Sequence, residues 1–164
     1  MLNKYALIDR DGTIIYEPTL KDTKPGDIPY QIDSLEKLKI LPGVIEGLKK
    51  LQKLNYKLVM ISNQDNLGSK NYPQSKFDRV QDKLLKILKK NSIKFSNILI
   101  CPHLPSNSCK CRKPKTGLLQ NIIRDINKKN SLVIGDRSSD EQLAKKLNIK
   151  FIAIKTNQTF NLNL

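Results

Sequence analysis

Apolar, β-branched residues gather into short runs at residues 5–8, 57–61, 97–100, 132–134 and 151–154. Each run has the length of a strand, and most lack polar alternation, as expected of strands covered on both faces. Between the runs the period changes. Val44, Ile45, Leu48, Leu51 and Leu54 recur at helical spacing after Pro42-Gly43, and Val80, Leu84, Leu85, Ile87 and Leu88 do so after Asp78. Leu118, Leu119, Ile122, Ile123 and Ile126 predict a third helical face, and Leu143, Ala144 and Leu147 a fourth. This alternation predicts an α/β fold, a Rossmann-like parallel sheet with helices on both faces. Residues 18–33, with Pro25-Gly26 and Pro29, are the one long irregular stretch, close enough to the end of the first strand to act as a lid. With no repeat, low-complexity segment or linker, a single domain over residues 1–164 is expected.

Composition narrows this picture. With 38% hydrophobic and 27% charged residues, a chain of 164 is too apolar for disorder and can bury roughly 68–70% of its unfolded surface. The apolar runs are too short to span a bilayer, and the residues after Met1 lack the apolar segment and cleavage site of a signal peptide. A cytoplasmic location with reduced thiols, and no membrane partner, is therefore expected. The net charge of +15 points to an anionic partner. The lysines are scattered over amphipathic segments, alongside abundant Asn and Ile, as compositional drift would leave them. No helix-turn-helix, zinc-finger helix or aromatic-basic surface motif accompanies the charge, so the expected partner is a small phosphorylated substrate and not nucleic acid. A monomer and a small homo-oligomer both remain open.

Chemistry concentrates where the strands end. In an open parallel sheet, ligands bind outside the carboxyl ends of the strands. "ALIDRDGTII" places Asp9 and Asp11 directly after the first run, "MISNQ" places Ser62 and Asn63 after the second, and Arg112 and Lys113 follow the third. "VIGDRSSD" places Asp136 and Asp140 after the fourth. Acids, a hydroxyl and a cation converging on one crevice suit phosphoryl transfer through an enzyme carboxylate. A phosphomonoester dianion repels such a nucleophile, so Mg²⁺ and fixed positive groups are needed to neutralise it. Asp9 and Asp136 offer hard oxygen ligands for Mg²⁺, Lys113 with the Ser62 hydroxyl can hold the phosphate oxygens, and Asn63 and Arg112 beside them are further candidates to bind the substrate's phosphate. Asp11 is the candidate acid for the leaving alkoxide, and afterwards the base for water. A calcium loop starting at Asp9 is excluded, because its twelfth position, where a bidentate Glu is required, is Leu20.

With these residues in place the chain resembles the haloacid dehalogenase superfamily of phosphatases, through "DRDGT", Ser62, Lys113 and "GDRSSD". It is similar in more detail to the histidinol-phosphate phosphatase family, in the form found as the N-terminal domain of a bifunctional histidine-biosynthesis enzyme. The longest matches are "DRDGTIIYEP", "PGVIEGLKKLQKLNYKLVMISNQDNLG", "ILICPHLP" and "CKCRKPK". The resemblance implies Asp9 as nucleophile, Asp11 as proton donor, Mg²⁺ held by Asp9, the Asp11 main chain and Asp136, and Glu17 placed to meet a substrate amine. The stretch at residues 18–33 looks longer than the family's usual one, and Asn66 stands where a Gly is typical. The dehydratase half of the bifunctional enzyme has no counterpart in the sequence, so that activity is not expected. The related heptose-bisphosphate phosphatases are the nearest alternative, and "NQDNLG" and "YEP" favour the histidinol enzyme. A basic zinc-containing nucleic-acid-binding module is the alternative from another class.

Every cysteine and the one histidine fall within "CPHLPSNSCKCRK". Cys101, His103, Cys109 and Cys111 make a complete tetrahedral set for structural Zn²⁺, with no position left for a reactive water. The C-x-C spacing of Cys109 and Cys111 does not match the C-x-x-C redox pattern. Pinning this loop would fix Arg112 and Lys113, and a cation that must reach a phosphate oxygen gains from such preorganisation. The resemblance supports zinc, since that family carries the same four ligands.

Overall fold

The computed structural model describes residues 2–162, so Met1, Asn163 and Leu164, which belong to the expected single domain, lie outside the described residues. Five parallel strands form one sheet in the order β3-β2-β1-β4-β5: β1 (Tyr5–Ile8), β2 (Lys57–Asn63), β3 (Phe95–Cys101), β4 (Leu132–Gly135) and β5 (Lys150–Ala153). Side chains alternate across β1. Ala6 and Ile8 enter a core with residues of α1 (Val44–Lys53) and α2 (Gln74–Lys90), and Tyr5 and Leu7 enter a second core with α3 (Ser138–Leu147). Both faces of the central strands are buried, which is why those strands read as continuous apolar runs. In α1 the fully buried Leu48 and Leu51 each contribute roughly 1.5–3 kcal/mol of transfer free energy. Among the described residues no helix is long and apolar enough to cross a membrane.

The expected α/β architecture is present, with two corrections. The helix expected after Asp78 already begins at Gln74, because Phe77 extends its buried face by one turn. The helical face expected over Leu118–Ile126 is instead two short 3₁₀ turns, Gly117–Leu119 and Ile123–Asp125. Both ends of this segment are tied to other strands of chain. The Gly117 N–H donates to the Lys110 carbonyl at 3.0 Å, and a Cβ on Gly117 would fall 2.4 Å from that oxygen. At the other end, Asn3 N–H donates to the Asp125 carbonyl (2.6 Å) and Asn127 N–H to the Asn3 carbonyl (2.8 Å). Inside the segment the bonds close three residues back, with Leu119 N–H on the Thr116 carbonyl (2.9 Å), Ile122 on Leu119 (2.9 Å) and Asp125 on Ile122 (3.1 Å), so 3₁₀ turns stand where an i→i−4 ladder was expected. Leu119, Ile122 and Ile126 are nonetheless buried as the periodicity requires.

Strand order reverses between β1 and β4, from which the chain moves outward in both directions. Such a switch point leaves a crevice at the carboxyl ends of the two strands. Asp9 follows β1, Asp136 follows β4, and the Asp9 N–H donates to the Ile134 carbonyl at 2.9 Å, locking the two ends together.

Candidate active site

Lys113 lies at the centre of the crevice and is buried. Its Nζ donates to Asp9 Oδ1 (2.6 Å), Asp140 Oδ1 (2.6 Å) and the Ile61 carbonyl (3.0 Å). Asp9, Asp136 and Asp140 bring their carboxylates within 4.8 Å of one another. Asp9 and Asp140 share the Lys113 ammonium, and among the described residues Asp136 Oδ2 has only the Arg137 Nε, at 4.0 Å, as a cationic partner, so the negative charge of this cluster fits a divalent cation. Asp140 is fully buried, with one oxygen on the Lys113 ammonium and the other on the Arg137 N–H at 3.2 Å, so it supports the site, while Asp9 and Asp136 are the candidates to ligate. Asp136 is oriented by Thr156 Oγ1 (2.8 Å) and, more loosely, Thr13 Oγ1 (3.4 Å). Gly12 has a positive φ of 78°, and a Cβ there would fall 2.5 Å from Asp136 Oδ2, so a side chain at this position would close the ligand position.

Burial, followed by the nearby Asp9 charge, pushes Asp136 up to about 6, and the same two causes push Asp140 up to about 6. An unfolded Asp titrates near 3.9. Between these values the folded state binds more protons than the unfolded one, so the contribution of these acids to stability falls as pH rises from about 4 to 6. Without divalent metal, Asp136→Asn should therefore match the native chain in thermal stability near pH 4 and exceed it at pH 7. Excess Mg²⁺ should reverse that order at pH 7 by stabilising the native chain alone. Thermal melts across this range, with chelator and with Mg²⁺, check both; a native chain more stable than the variant at pH 7 in chelator would count against the crowding.

Asp11 is held from two sides. Arg10 Nη1 donates to its Oδ1 at 2.6 Å and Gln64 Nε2 to its Oδ2 at 2.7 Å. Arg10 is fully buried, with Nε on Gln81 Oε1 (2.9 Å) and its guanidinium 4.9 Å from the centre of the Phe77 ring. Gln64 Nε2 also donates to Ser62 Oγ at 2.8 Å, which leaves the Ser62 hydroxyl proton for another acceptor. The Asn63 side chain clasps the main chain of Lys113, accepting from its N–H (2.9 Å) and donating to its carbonyl (3.3 Å). Its amide thus positions the lysine, whereas the sequence suggested a phosphate ligand. Arg112 differs from expectation too. Its guanidinium is paired with Asp65 and donates to the His103 carbonyl at 2.9 Å, because the loop carrying Asp65 folds against the cysteine segment.

Cys101, His103, Cys109 and Cys111 converge as expected. Their sulfurs lie 3.0 to 3.7 Å apart, and His103 Nδ1 is 3.1 Å from the Cys111 sulfur and 3.6 Å from that of Cys101. A zinc tetrahedron with Zn–S bonds of about 2.3 Å has sulfur–sulfur edges of about 3.8 Å, so the donor set fits a metal after slight expansion. Burial and the hydrogen bond with Cys111 push Cys101 up to about 12, a cost that a bound cation would offset. The Arg112 N–H donates to the Cys109 sulfur at 3.4 Å, tying the cluster to the residue before Lys113.

Two cavities open on this site. The smaller, about 240 Å³, is lined by Asp9, Asp11, Ser62, Lys113 and Arg137 among others. The larger, about 350 Å³, runs from Asp11 to Glu17 and is walled by Ile28, Pro29 and Tyr30 of the irregular segment, with Tyr72 opposite. Glu17 is buried, and Arg137 Nη2 bonds to both of its carboxylate oxygens. Burial pushes Glu17 up to about 7 against the pull of Arg137. Asn66, which replaces the Gly typical of the resembled family, adopts a positive φ of 66°, a conformation that Asn tolerates.

Arg137, Gln64, Arg10, Thr156 and Asn157 escaped the sequence reading as site residues. The rule that located the others, inspection of each strand's carboxyl end, would have reached Thr156 and Asn157 if applied to the fifth strand.

The sequence pattern of the polynucleotide kinase 3 phosphatase family matches residues 4–153. The chain belongs to this family. It is also 44% identical over 154 residues to the histidine biosynthesis bifunctional protein HisB of Blochmanniella floridana, covering 93% of this chain and 41% of that protein. The HisB protein of Actinobacillus pleuropneumoniae is 48% identical over 152 residues, covering 92% of this chain and 40% of that one. The chain thus spans about two-fifths of the length of these curated relatives. Among solved structures, a D,D-heptose 1,7-bisphosphate phosphatase from B. bronchiseptica, complexed with magnesium and phosphate, superposes with a TM-score of 0.75 at 25% identity, covering 90% of this chain and 78% of that one. A HAD-superfamily hydrolase from Ehrlichia chaffeensis superposes with a TM-score of 0.55 at 17% identity, covering 94% and 88%. The expected haloacid dehalogenase-like fold is borne out.

Proposed function

We propose that the chain is a single phosphatase domain that hydrolyses the phosphate monoester of an amino alcohol, histidinol phosphate, through a phosphorylated Asp9. The observation that carries this reading is the clustering of Asp9, Asp136 and Asp140, two of them bonded to Lys113, with Asp11 lining the same cavity as Asp9 and a second cavity reaching the carboxylate of Glu17. The HisB relatives support the choice of substrate, since each is named as a histidine biosynthesis protein.

The substrate's phosphate enters the smaller cavity, where the Ser62 hydroxyl binds one oxygen and Lys113 Nζ turns the proton it gives to Asp9 toward the phosphoryl group as Asp9 attacks phosphorus. Asp9, Asp136 and the Asp11 main chain would hold Mg²⁺, which neutralises charge on the phosphoryl oxygens. Asp11, steadied by Arg10 and Gln64, gives its proton to the leaving oxygen and then takes one from the water that attacks the aspartyl-phosphate. Glu17 receives the amine of the leaving group in the larger cavity. Zn²⁺ on Cys101, His103, Cys109 and Cys111 would hold the loop that ends at Lys113. Exchanging Cys109→Ser, with zinc loss verified by metal analysis, should lower kcat about 10–100-fold; full activity in zinc-free protein would remove zinc from the preorganisation of Lys113.

A second reading, a sugar bisphosphate as substrate, is favoured by the heptose bisphosphatase superposition. The family description and the charge of +15 bring in a polynucleotide 3′-phosphate as a further substrate to test. Phosphate release measured on histidinol phosphate, heptose 1,7-bisphosphate, a 3′-phosphorylated oligonucleotide and an aryl phosphate separates them. The expected result is the highest kcat/KM on histidinol phosphate; faster turnover of any other substrate in the panel overturns the assignment.

A further inference from the structure

Arg137 borders both cavities and holds Glu17 in an ion pair. The two partners differ in freedom. The Arg137 side chain is 49% exposed, whereas that of Glu17 is 8% exposed. The Glu17 backbone is clamped by Asn157, whose Oδ1 accepts from the Glu17 N–H (2.7 Å) and whose Nδ2 donates to the Glu17 carbonyl (2.9 Å). Asn157 is itself anchored by its own N–H on the Gly12 carbonyl at 2.9 Å. When the pair opens, Arg137 is therefore the partner that moves. As it stands, an ammonium group entering the larger cavity meets a carboxylate already neutralised by guanidinium. A phosphate in the smaller cavity offers that planar guanidinium a more highly charged acceptor, two of whose oxygens can take its N–H groups side by side.

We propose that Arg137 is an exchange cation: phosphate in the smaller cavity draws its guanidinium away from Glu17, and the released carboxylate takes the amine of the leaving group. This rests on the amine-bearing substrate proposed above and adds to it a coupling between the two ends of that substrate. Phosphate and amine each favour the state that the other needs, so each raises the affinity of the site for the other by the same factor. The dephosphorylated amino alcohol, arriving alone, must compete with Arg137 and binds weakly, which limits inhibition by product.

Calorimetric titration of L-histidinol into the Mg²⁺-loaded chain, with and without saturating inorganic phosphate, reads the coupling directly. Phosphate should tighten histidinol binding about tenfold in the native chain. In Arg137→Ala, and in the more conservative Arg137→Gln, histidinol should bind with equal affinity in both conditions and at least as tightly as to the native chain without phosphate. Glu17→Gln should bind it weakly throughout. Absence of coupling in the native chain, or coupling undiminished in both Arg137 variants, overturns the exchange. Hydrolysis of histidinol phosphate by the same preparation separates the two levels: turnover without coupling sinks the exchange alone, and no turnover sinks the substrate assignment as well.

Discussion

Asp9→Asn should abolish phosphate release, with kcat lowered at least about 10⁴-fold, while the chain stays folded. The amide has nearly the shape of the carboxylate and its oxygen can still accept from Lys113 Nζ, so the arrangement at the β1 end is kept and only the nucleophile is lost. Stability should not suffer. One of three crowded carboxylates disappears, and without metal the variant should melt no lower than the native chain at pH 7. Phosphate release and a thermal melt on one preparation provide both readings. Residual activity within about tenfold of native would mean that Asp9 does not form the covalent bond.

Lys113→Met should damage both folding and catalysis. The buried ammonium is bonded to Asp9 and Asp140, and removing it leaves buried carboxylates facing one another without their cation. Breaking a buried pair from one side costs about 3–5 kcal/mol, measurable as a lower urea midpoint. Loss of the cation that meets the developing phosphoryl charge should lower kcat a further 10²–10³-fold, roughly, in whatever fraction remains folded. A second change separates the two effects. Lys113→Met combined with Asp140→Asn should recover much of the stability, because a neutral amide needs no counter-charge, and none of the activity. A double variant that regained activity would remove Lys113 from phosphate binding.

The parts of this site that were legible in the sequence are those imposed by the sheet. Continuous apolar runs predict strands buried on both faces, and parallel strands deliver the residues at their carboxyl ends to a common crevice. That is why Asp9, Asp11, Ser62, Lys113, Asp136 and Asp140 could be placed together from position alone. The cysteine cluster was legible for a different reason, since few arrangements other than a metal gather thiols and an imidazole at this spacing.

What escaped depends on side-chain direction. Arg10 could equally have pointed to solvent; it is buried because Gln81 and Phe77 of α2 receive its guanidinium, a contact separated by 71 positions in the case of Gln81. Arg137 and Glu17 are 120 positions apart, and nothing in either local sequence announces the pair. Asn63 and Arg112 were placed correctly in the crevice, yet their hydrogen-bonding groups turn to Lys113 and Asp65. The missing helix between Gly117 and Asp125 teaches the same lesson for the backbone. Its apolar period is real and buried, but the chain is tied at both ends, to Lys110 and to Asn3, and between those ties its N–H groups bond three residues back instead of four.

The most direct test of the central claim is to catch the covalent bond. Rapidly quenched enzyme turning over histidinol phosphate with Mg²⁺ can be treated with borohydride, which reduces an acyl phosphate to an alcohol and leaves ordinary carboxylates untouched. Peptide mapping should then find the reduced side chain at Asp9 alone, and only when both substrate and Mg²⁺ were present. Undiminished turnover with Asp9 unreduced, or with the modification on Asp11 or Asp136 instead, would contradict the account.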